Sequence, residues 1–398
     1  MLIDHNTKYK KFKEIILRFR PRYIFFSKAI NTFLFDGYKR KDLVGEGNLY
    51  EIKKKTSYSI NKDLFLLLST SGSTGSAKLV KLTRENITSN TKNIIEYLSL
   101  KEKDRTVTNL PFNYAYGLSV INTHLQSNAQ LIISDKSVID NSLIDLVNKN
   151  NISNFNGVPS TYDLLFNLRL ENHYLRSTRF LSQAGGALKK ITFDSISKYT
   201  KKQGKDFFIM YGQTEASPRM AYYLVEDKEY KEGIIGKPIK GGRLLIKDNK
   251  NKIIKEPNKI GRIFYYGPNI FSGYANNSKH LKNQRKRNYL NTGDIGKFDV
   301  EGNYYISGRS SRYIKIEDKR ISLDELENLI SEKNKDVVCT FKEKKIIVWY
   351  TDYNLDLKKT YMKIKENTSV GKRNFIFRFI EEFPKNSSGK VLFKELKL

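Results

Sequence analysis

The 398-residue chain is short of several residue types, and each shortage removes a class of protein. Its single cysteine, Cys339, excludes a disulfide scaffold and any thiolate metal cluster. Its four histidines, His5, His124, His173 and His280, lie far apart, with no pair at zinc-ligand spacing. Apolar runs are short: 64–68 is typical, whereas a bilayer span needs ~20 residues. No apolar signal-peptide core follows the start, where Asp4, Lys8, Lys10, Lys11 and Lys13 intervene. A reducing cytoplasm and no transmembrane segment are therefore expected. Acidic residues are also the minority, 42 against 72 basic, for a net charge of +30. Such an excess points to polyanions in general. Here the lysines are spread along the whole chain, beside plentiful Asn, Ile and Tyr, which reads as a solvated surface. A nucleic-acid partner, with its steep salt dependence, is not expected.

Hydrophobic residues make up 39% and aromatics 12%, enough for a sizeable core. No repeat and no long low-complexity tract interrupts the chain. Residues 11–35 mix Ile16, Leu17, Phe19, Ile24, Phe25, Phe26, Ile30, Phe33 and Leu34 with Lys and Arg, which predicts one or two amphipathic helices packed on their own domain. From 63 onward the pattern alternates. A buried strand at 63–69 leads into a Gly/Ser/Thr loop and a helix at 84–98. Strands at 131–134 and 152–156, a helix at 160–170, and strands at 180–183 and 207–210 follow. Strand, glycine turn and helix in repetition predict an α/β fold with mostly parallel sheets flanked by helices. Ligands then sit at the carboxyl ends of strands. After 233, strand-like 242–246, 261–266 and 303–306 predict a β-rich subdomain. The tail reads as helix 323–332 and strands 345–350 and 375–380, a small α+β unit.

The chemistry concentrates in a few segments. Thr70, Ser71, Gly72, Ser73, Thr74, Gly75, Ser76, Ala77 and Lys78 form a phosphate cradle by composition: small residues free the backbone N–H groups, hydroxyls add donors, and lysine adds charge. It is not a Walker A loop, because Ala77-Lys78-Leu79 stands where Gly-Lys-Ser/Thr is required. Further along come Leu110-Pro111-Phe112-Asn113-Tyr114-Ala115-Tyr116-Gly117-Leu118, Gln183-Ala184-Gly185-Gly186-Ala187 and Tyr211-Gly212-Gln213-Thr214-Glu215. Then come Tyr289-Leu290-Asn291-Thr292-Gly293-Asp294 with Gly308-Arg309, and Pro384-Lys385-Asn386-Ser387-Ser388-Gly389-Lys390. In this order they resemble the signatures of the AMP-forming adenylation superfamily, which comprises acyl-CoA synthetases, carrier-protein adenylation domains and luciferases. The resemblance covers residues 63–398.

The resemblance implies a large domain, 1–308, with the β-rich part at about 233–308. A small mobile α+β domain, 309–398, would carry the catalytic lysine. It implies ATP-dependent adenylation of a small carboxylic acid, with release of pyrophosphate and then transfer to a thiol. The alternative acceptor is a phosphopantetheinyl carrier protein in a biosynthetic cluster. ATP and Mg²⁺ are implied, with CoA or phosphopantetheine as acceptor. By the same resemblance Lys390 touches carboxylate and α-phosphate, and Arg309 reaches the ribose and α-phosphate. Residues 70–75 and Lys78 would hold pyrophosphate, with the nucleotide held by Gly185, Gly186, Ala187, Gly212, Gln213, Thr214 and Asp294. Glu215 is the Mg²⁺ ligand. Tyr211 either stacks on adenine or is a core tyrosine. Tyr114, Tyr116, Gly117, Asn156 and Ala187 would line the acyl pocket. Gly117 stands where amino-acid-activating relatives carry an aspartate, which disfavours α-amino acids. Ser311 is the pivot position.

Two departures shape these expectations. Asp318 replaces a family glycine beside the pantetheine path, adding bulk and negative charge, which makes the thioester step less secure than adenylation. Family members also carry a longer segment ahead of the phosphate loop. The aromatic stretch 19–35, a partner chain or self-association is expected to cover the sheet left open.

Overall fold

The computed structural model describes the chain except residues 5–6, 8, 27–37, 45–46, 54–57, 70–77, 227–228, 285–286, 317–318, 331–336, 369, 387–390 and 397–398. The N-terminal region begins with α1 (Tyr9–Phe19), amphipathic as expected. Its Ile15 and Phe19 pack with Leu67, Leu79 and Leu281, and its Ile16 packs with Ile24, Tyr38 and Ile52. The helix thus seats two clusters at once. Beyond it the helical expectation fails. β1 (Tyr23–Phe26), β2 (Tyr38–Val44) and β3 (Gly47–Ile52) form an antiparallel sheet in the order β1-β3-β2. Aromatic and β-branched side chains in Tyr23–Phe26 favour a pleated surface over a helix. Residues 27–35 of the same expectation lie outside the described residues.

β4 (Leu64–Ser69) and β5 (Leu79–Thr83) are antiparallel neighbours, with Ser69 paired to Leu79. The Gly/Ser/Thr segment therefore joins two strands rather than a strand and a helix. β5 leads straight into α2 (Arg84–Leu98), whose capping box has Thr83 accepting from the Asn86 N–H while the Asn86 side chain accepts from the Thr83 N–H. β6 (Arg105–Val107), α3 (Ala115–Gln126), β7 (Gln130–Ile132), α4 (Asn141–Asn150), β8 (Asn154–Gly157), α5 (Pro159–Asn167), α6 (Glu171–Tyr174), β9 (Phe180–Gln183), α7 (Lys190–Lys202) and β10 (Asp206–Gly212) give the alternation read from the sequence. Parallel pairing joins β8, β9 and β10, and separately β6 and β7.

Parallel character is narrower than expected. β11 (Arg219–Leu224), β12 (Ile234–Pro238), β13 (Arg243–Lys247), β14 (Gly261–Tyr266), β15 (Tyr274–Ala275), β16 (Leu290–Phe298) and β17 (Tyr304–Arg309) follow. All but β15 extend the same nine-stranded sheet with antiparallel ladders, in the order β13-β14-β16-β17-β12-β11-β10-β9-β8. Short connections without a crossover helix require that direction. Helices cover both faces of the parallel part. Leu143, Val147, Tyr162, Leu165, Phe193 and Ile196 pack on Phe155, Leu181 and Phe207, while Ile94, Leu98, Tyr116 and Val120 pack on Phe180, Phe208 and Met210.

The tail is an α+β unit as expected: β18 (Tyr313–Ile316), β19 (Lys319–Ser322), α8 (Leu323–Ile330), β20 (Val337–Lys342), β21 (Lys345–Tyr350), α9 (Leu357–Thr368) and β22 (Phe375–Phe379). Its core joins Leu326 and Ile330 to Val337, Cys339, Ile346, Val348 and Ile364. Among the described residues no helix is long and apolar enough to cross a membrane.

Candidate functional site

The expected residues converge where β10 ends. Its last residues, Tyr211 and Gly212, sit at a register shift against β11. A Cβ at Gly212 would stand 1.8 Å from the Pro218 carbonyl oxygen, so only glycine allows this approach. The chain then turns through Gln213 into a single 3₁₀ turn, Thr214–Ala216, which carries Glu215.

β16 brings Asp294 to the same place. Asn291 accepts from the Gly293 N–H at 3.1 Å, Thr292 Oγ1 accepts from the Asp294 N–H at 3.1 Å, and Gly293 takes a φ of +77°. Side-chain oxygens that bond two residues ahead, with a glycine at positive φ, set this local bend. Asp294 is only 3% exposed. Its Oδ2 accepts the Tyr211 hydroxyl and, at 3.0 Å, Gln213 Nε2. Gln213 Nε2 also donates to Thr292 O at 2.7 Å. Asp294 and Arg309 are register partners across β16 and β17, and Arg309 Nε lies 3.1 Å from Asp294 Oδ1. Burial raises the Asp294 pKa, against the pull of Arg309 and of the Tyr211 and Gln213 donors. Burial pushes the Tyr211 hydroxyl far up as well, with Asp294 adding to the rise. The neutral phenol is therefore the donor. Tyr211 is a buried core tyrosine, not an open stacking platform.

Arg309 also ends β17. Its N–H donates to Asp324 Oδ2 at 3.0 Å, and Ser310 Oγ donates to Gly293 O at 2.8 Å. Ser311 is exposed in the 3₁₀ turn Ser310–Arg312. Arg312 turns inward, pairing with Asp324 and Glu327, donating to Cys339 O at 3.2 Å and lying over the Phe393 ring at 4.6 Å. The strand pair β16–β17 and the small α+β unit are thus tied together within a few residues.

Glu215 accepts from the Tyr274 hydroxyl at 2.9 Å, and its backbone carbonyl receives the Phe271 N–H at 2.9 Å. Among the described residues no cluster of three His, Cys, Asp or Glu exists. Glu215 is a single carboxylate, which would fit Mg²⁺ only with phosphates and water completing the shell.

Gly185 has a φ of +95°, and a Cβ there would lie 2.3 Å from the Tyr114 hydroxyl. Gln183 Nε2 donates to Gly186 O at 2.7 Å, closing the turn that leaves Gly186 and Ala187 exposed. Tyr114 is half-buried beside it. Tyr116 and Asn156 are not open to a ligand. Tyr116 donates to Ser182 O at 3.0 Å, and the two Asn156 amide donors go to Thr106 Oγ1 at 3.1 Å and Asn154 Oδ1 at 2.9 Å. Ser182 Oγ donates to Asn156 Oδ1 at 2.7 Å. These two expected pocket residues therefore stand in the core behind it. A Cβ at Gly117 would meet Pro111 O at 2.4 Å, so its glycine lets α3 seat against the 110–111 backbone. Lys78 is exposed beside β5. Residues 70–77, Asp318 and Lys390 lie outside the described residues.

Two buried cations escaped the sequence reading. Lys81 on β5 donates to the His280 and Asn283 carbonyls, and burial, with Arg287 nearby, lowers its pKa. Arg219, which opens β11, is 2% exposed. No local pattern marks either as buried, because their partners lie far away in sequence.

A family model described as AMP-binding enzyme matches residues 31–275. Oxalate–CoA ligase of Saccharomyces cerevisiae is 28% identical over 320 residues, covering 79% of this chain and 56% of that protein. 2-Succinylbenzoate–CoA ligase of Oceanobacillus iheyensis is 27% identical over 271 residues, covering 67% and 54%. The chain thus spans about half the length of the curated relatives it matches. Among solved structures, O-succinylbenzoate coenzyme A synthetase of Bacillus subtilis in complex with AMP aligns with a TM-score of 0.70 at 23% identity, covering 85% of this chain and 70% of that one. ATP-bound MatB from Rhodopseudomonas palustris aligns with a TM-score of 0.70 at 22% identity, covering 87% and 70%. The fold is that of the adenylate-forming enzymes. The chain belongs to the AMP-binding enzyme family.

Proposed function

We propose that this chain is an AMP-forming acid–thiol ligase: it adenylates a carboxylic acid with ATP, releases pyrophosphate, and passes the acyl group to CoA. The observation that carries the reading is the buried Asp294 carboxylate, held by Tyr211 and Gln213 and faced by Arg309 from the next strand. A fixed carboxylate at the end of β10 suits a nucleoside whose sugar hydroxyls donate to it, and the exposed Gly186–Ala187 turn follows β9, the parallel neighbour of β10. Arg309 leaves Oδ1 as the ribose arrives and turns to the α-phosphate. Its exposure, 58% for the side chain, leaves it room to swing.

In the first step a carboxylate oxygen attacks the α-phosphorus, a P–O bond to the β-phosphate breaks, and pyrophosphate leaves. Two anions must meet, so preorganised positive charge governs the barrier. Lys390 supplies it at the meeting point. Residues 70–75 and Lys78 hold the departing pyrophosphate, and Thr214 lies beside the phosphates. Glu215 would hold Mg²⁺, which would supply charge neutralisation at the phosphates when bound. In the second step a thiolate attacks the acyl carbon and AMP leaves. The thiol proton passes to solvent, and the small domain pivots about Ser311 between the steps. CoA ligases among the relatives support CoA as acceptor. The substitution at Asp318 keeps a phosphopantetheinyl carrier protein as the second reading.

A carboxylic-acid panel assayed for ATP-dependent pyrophosphate release, with and without CoA, tests the proposal. Acid-dependent release that CoA accelerates is expected. Release unaffected by CoA but accelerated by a phosphopantetheinyl protein selects the second reading, and no acid-dependent release contradicts both.

A further inference from the structure

Arg309 is held at three points. Its Nε lies 3.1 Å from Asp294 Oδ1, its N–H donates to Asp324 Oδ2 at 3.0 Å, and the next residue, Ser310, donates to Gly293 O at 2.8 Å. Asp294 and Arg309 are register partners, and both of their backbone N–H groups donate to side chains, one to Thr292 and the other to Asp324. Gly308 makes the Asp324 contact possible. It takes a φ of +152°, and a Cβ there would stand 3.2 Å from Asp324 Oδ2, so a larger residue would crowd the carboxylate away from the backbone.

Asp324 belongs to the first turn of α8, beyond the proposed pivot Ser311, and its other oxygen pairs with Arg312. Arg312 also pairs with Glu327 and lies over the Phe393 ring, so the Asp324 carboxylate is fixed in direction as well as in place. Asn328 stands one turn after Asp324 on the same face of α8 and donates to Glu232 Oε1 at 2.9 Å. Leu323, Leu326 and Ile330 turn instead into the core of the small unit. One set of α8 residues thus holds the small unit together, while Asp324 and Asn328 bond residues that precede Ser311. The Arg312–Asp324 pair does not cross the pivot, because both partners follow it. A rotation about Ser311 therefore breaks the bonds to Arg309 and Glu232 and spares the ion pair. In the present arrangement Arg309 also occupies the Asp294 oxygen that a ribose hydroxyl would need. A nucleotide must displace it, and whatever fixes Arg309 opposes that displacement.

We propose that Asp324 is a positioning residue: its bond to the Arg309 backbone, with Asn328 as a second point, latches the protein in an arrangement that ATP must open in order to bind. This rests on the adenylation reading given above and names a regulation of that same site. The latch lowers the apparent affinity for ATP, because only the opened fraction of the protein binds. Its release lets Arg309 leave Asp294 and lets the small unit turn about Ser311 in a single event.

Calorimetric titration of ATP into the full chain tests it. Asp324→Asn takes the charge from the latch and leaves Arg312 its Glu327 partner. This variant is expected to bind ATP about threefold more tightly than wild type, or better, and the double variant Asp324→Asn with Asn328→Ala more tightly still. Damage to the fold would weaken binding, so the sign of the change separates a latch from a merely structural role. Asn328→Ala alone, an exposed change, is expected to tighten binding about twofold, and it carries the test if Asp324→Asn does not fold. Wild-type protein that binds ATP, with folded variants that bind it equally or more weakly, overturns the inference and leaves the adenylation reading intact. Wild-type protein that binds no ATP removes both together.

Discussion

The Tyr211 hydroxyl donates to Asp294 Oδ2 while Arg309 Nε faces Oδ1, so one buried carboxylate joins the end of β10 to the last residue of β17. Tyr211→Phe removes the donor and leaves that oxygen with Gln213 alone. We expect a loss of about 1–3 kcal/mol in stability. A rise of about tenfold in the KM for ATP should accompany it, equal to about 1.4 kcal/mol of binding. Urea unfolding and initial rates at varied ATP check both numbers.

Gly117 tests a steric claim. A methyl group there would lie 2.4 Å from Pro111 O and 2.8 Å from Leu110 O, backbone atoms that cannot yield locally. Gly117→Ala should destabilise the protein by about 1–3 kcal/mol. The shift should appear in thermal unfolding even without substrates.

The small unit should respond to pH through Glu327. Burial pushes its pKa up from 4.5 to about 7, against the pull of Arg312 and the Cys339 N–H, with Asp324 adding to the rise. The native state then keeps a proton that the unfolded chain has released between those values. This contribution is present below pH 4.5 and is lost as pH rises through 7. Between pH 5 and pH 8 the wild type should lose about 2–3 kcal/mol relative to Glu327→Gln. Urea melts of both proteins at the two pH values measure the difference.

Much of this architecture is written locally. The helix 84–98 is found at those residues because Thr83 and Asn86 cap it and apolar positions recur on one face. Strands 180–183, 261–266 and 345–350 also fall where short apolar runs end at turns. What local reading misses is set from afar. β5 was hidden because Lys81 breaks its apolar run, and the carbonyls that satisfy that lysine belong to His280 and Asn283. Tyr23–Phe26 was read as helical because its pairing partner, β3, lies across a segment of the chain with mixed signals. Asn156 and Tyr116 looked like pocket residues. Only the assembled β8 and β9 reveal that Ser182 engages both. Motif order indicated the meeting of Tyr211, Gln213, Asp294 and Arg309, but not that Arg309 already occupies one oxygen of Asp294.

On the proposed reading, Lys390 acts in the first half-reaction alone. Lys390→Ala should cut acid-dependent pyrophosphate exchange by about a hundredfold or more, since a positioned cation at a developing charge is worth several kcal/mol. Hydroxamate trapping of the acyl group should fall in parallel. ATP affinity, read by calorimetry, should change far less.

The most direct measurement is a crystal structure with ATP bound. The account predicts the nucleoside against Gly185, Gly186 and Ala187, its ribose on Asp294, and Arg309 swung away from Oδ1. A nucleoside lodged elsewhere, with the Asp294–Arg309 pair intact, would contradict it.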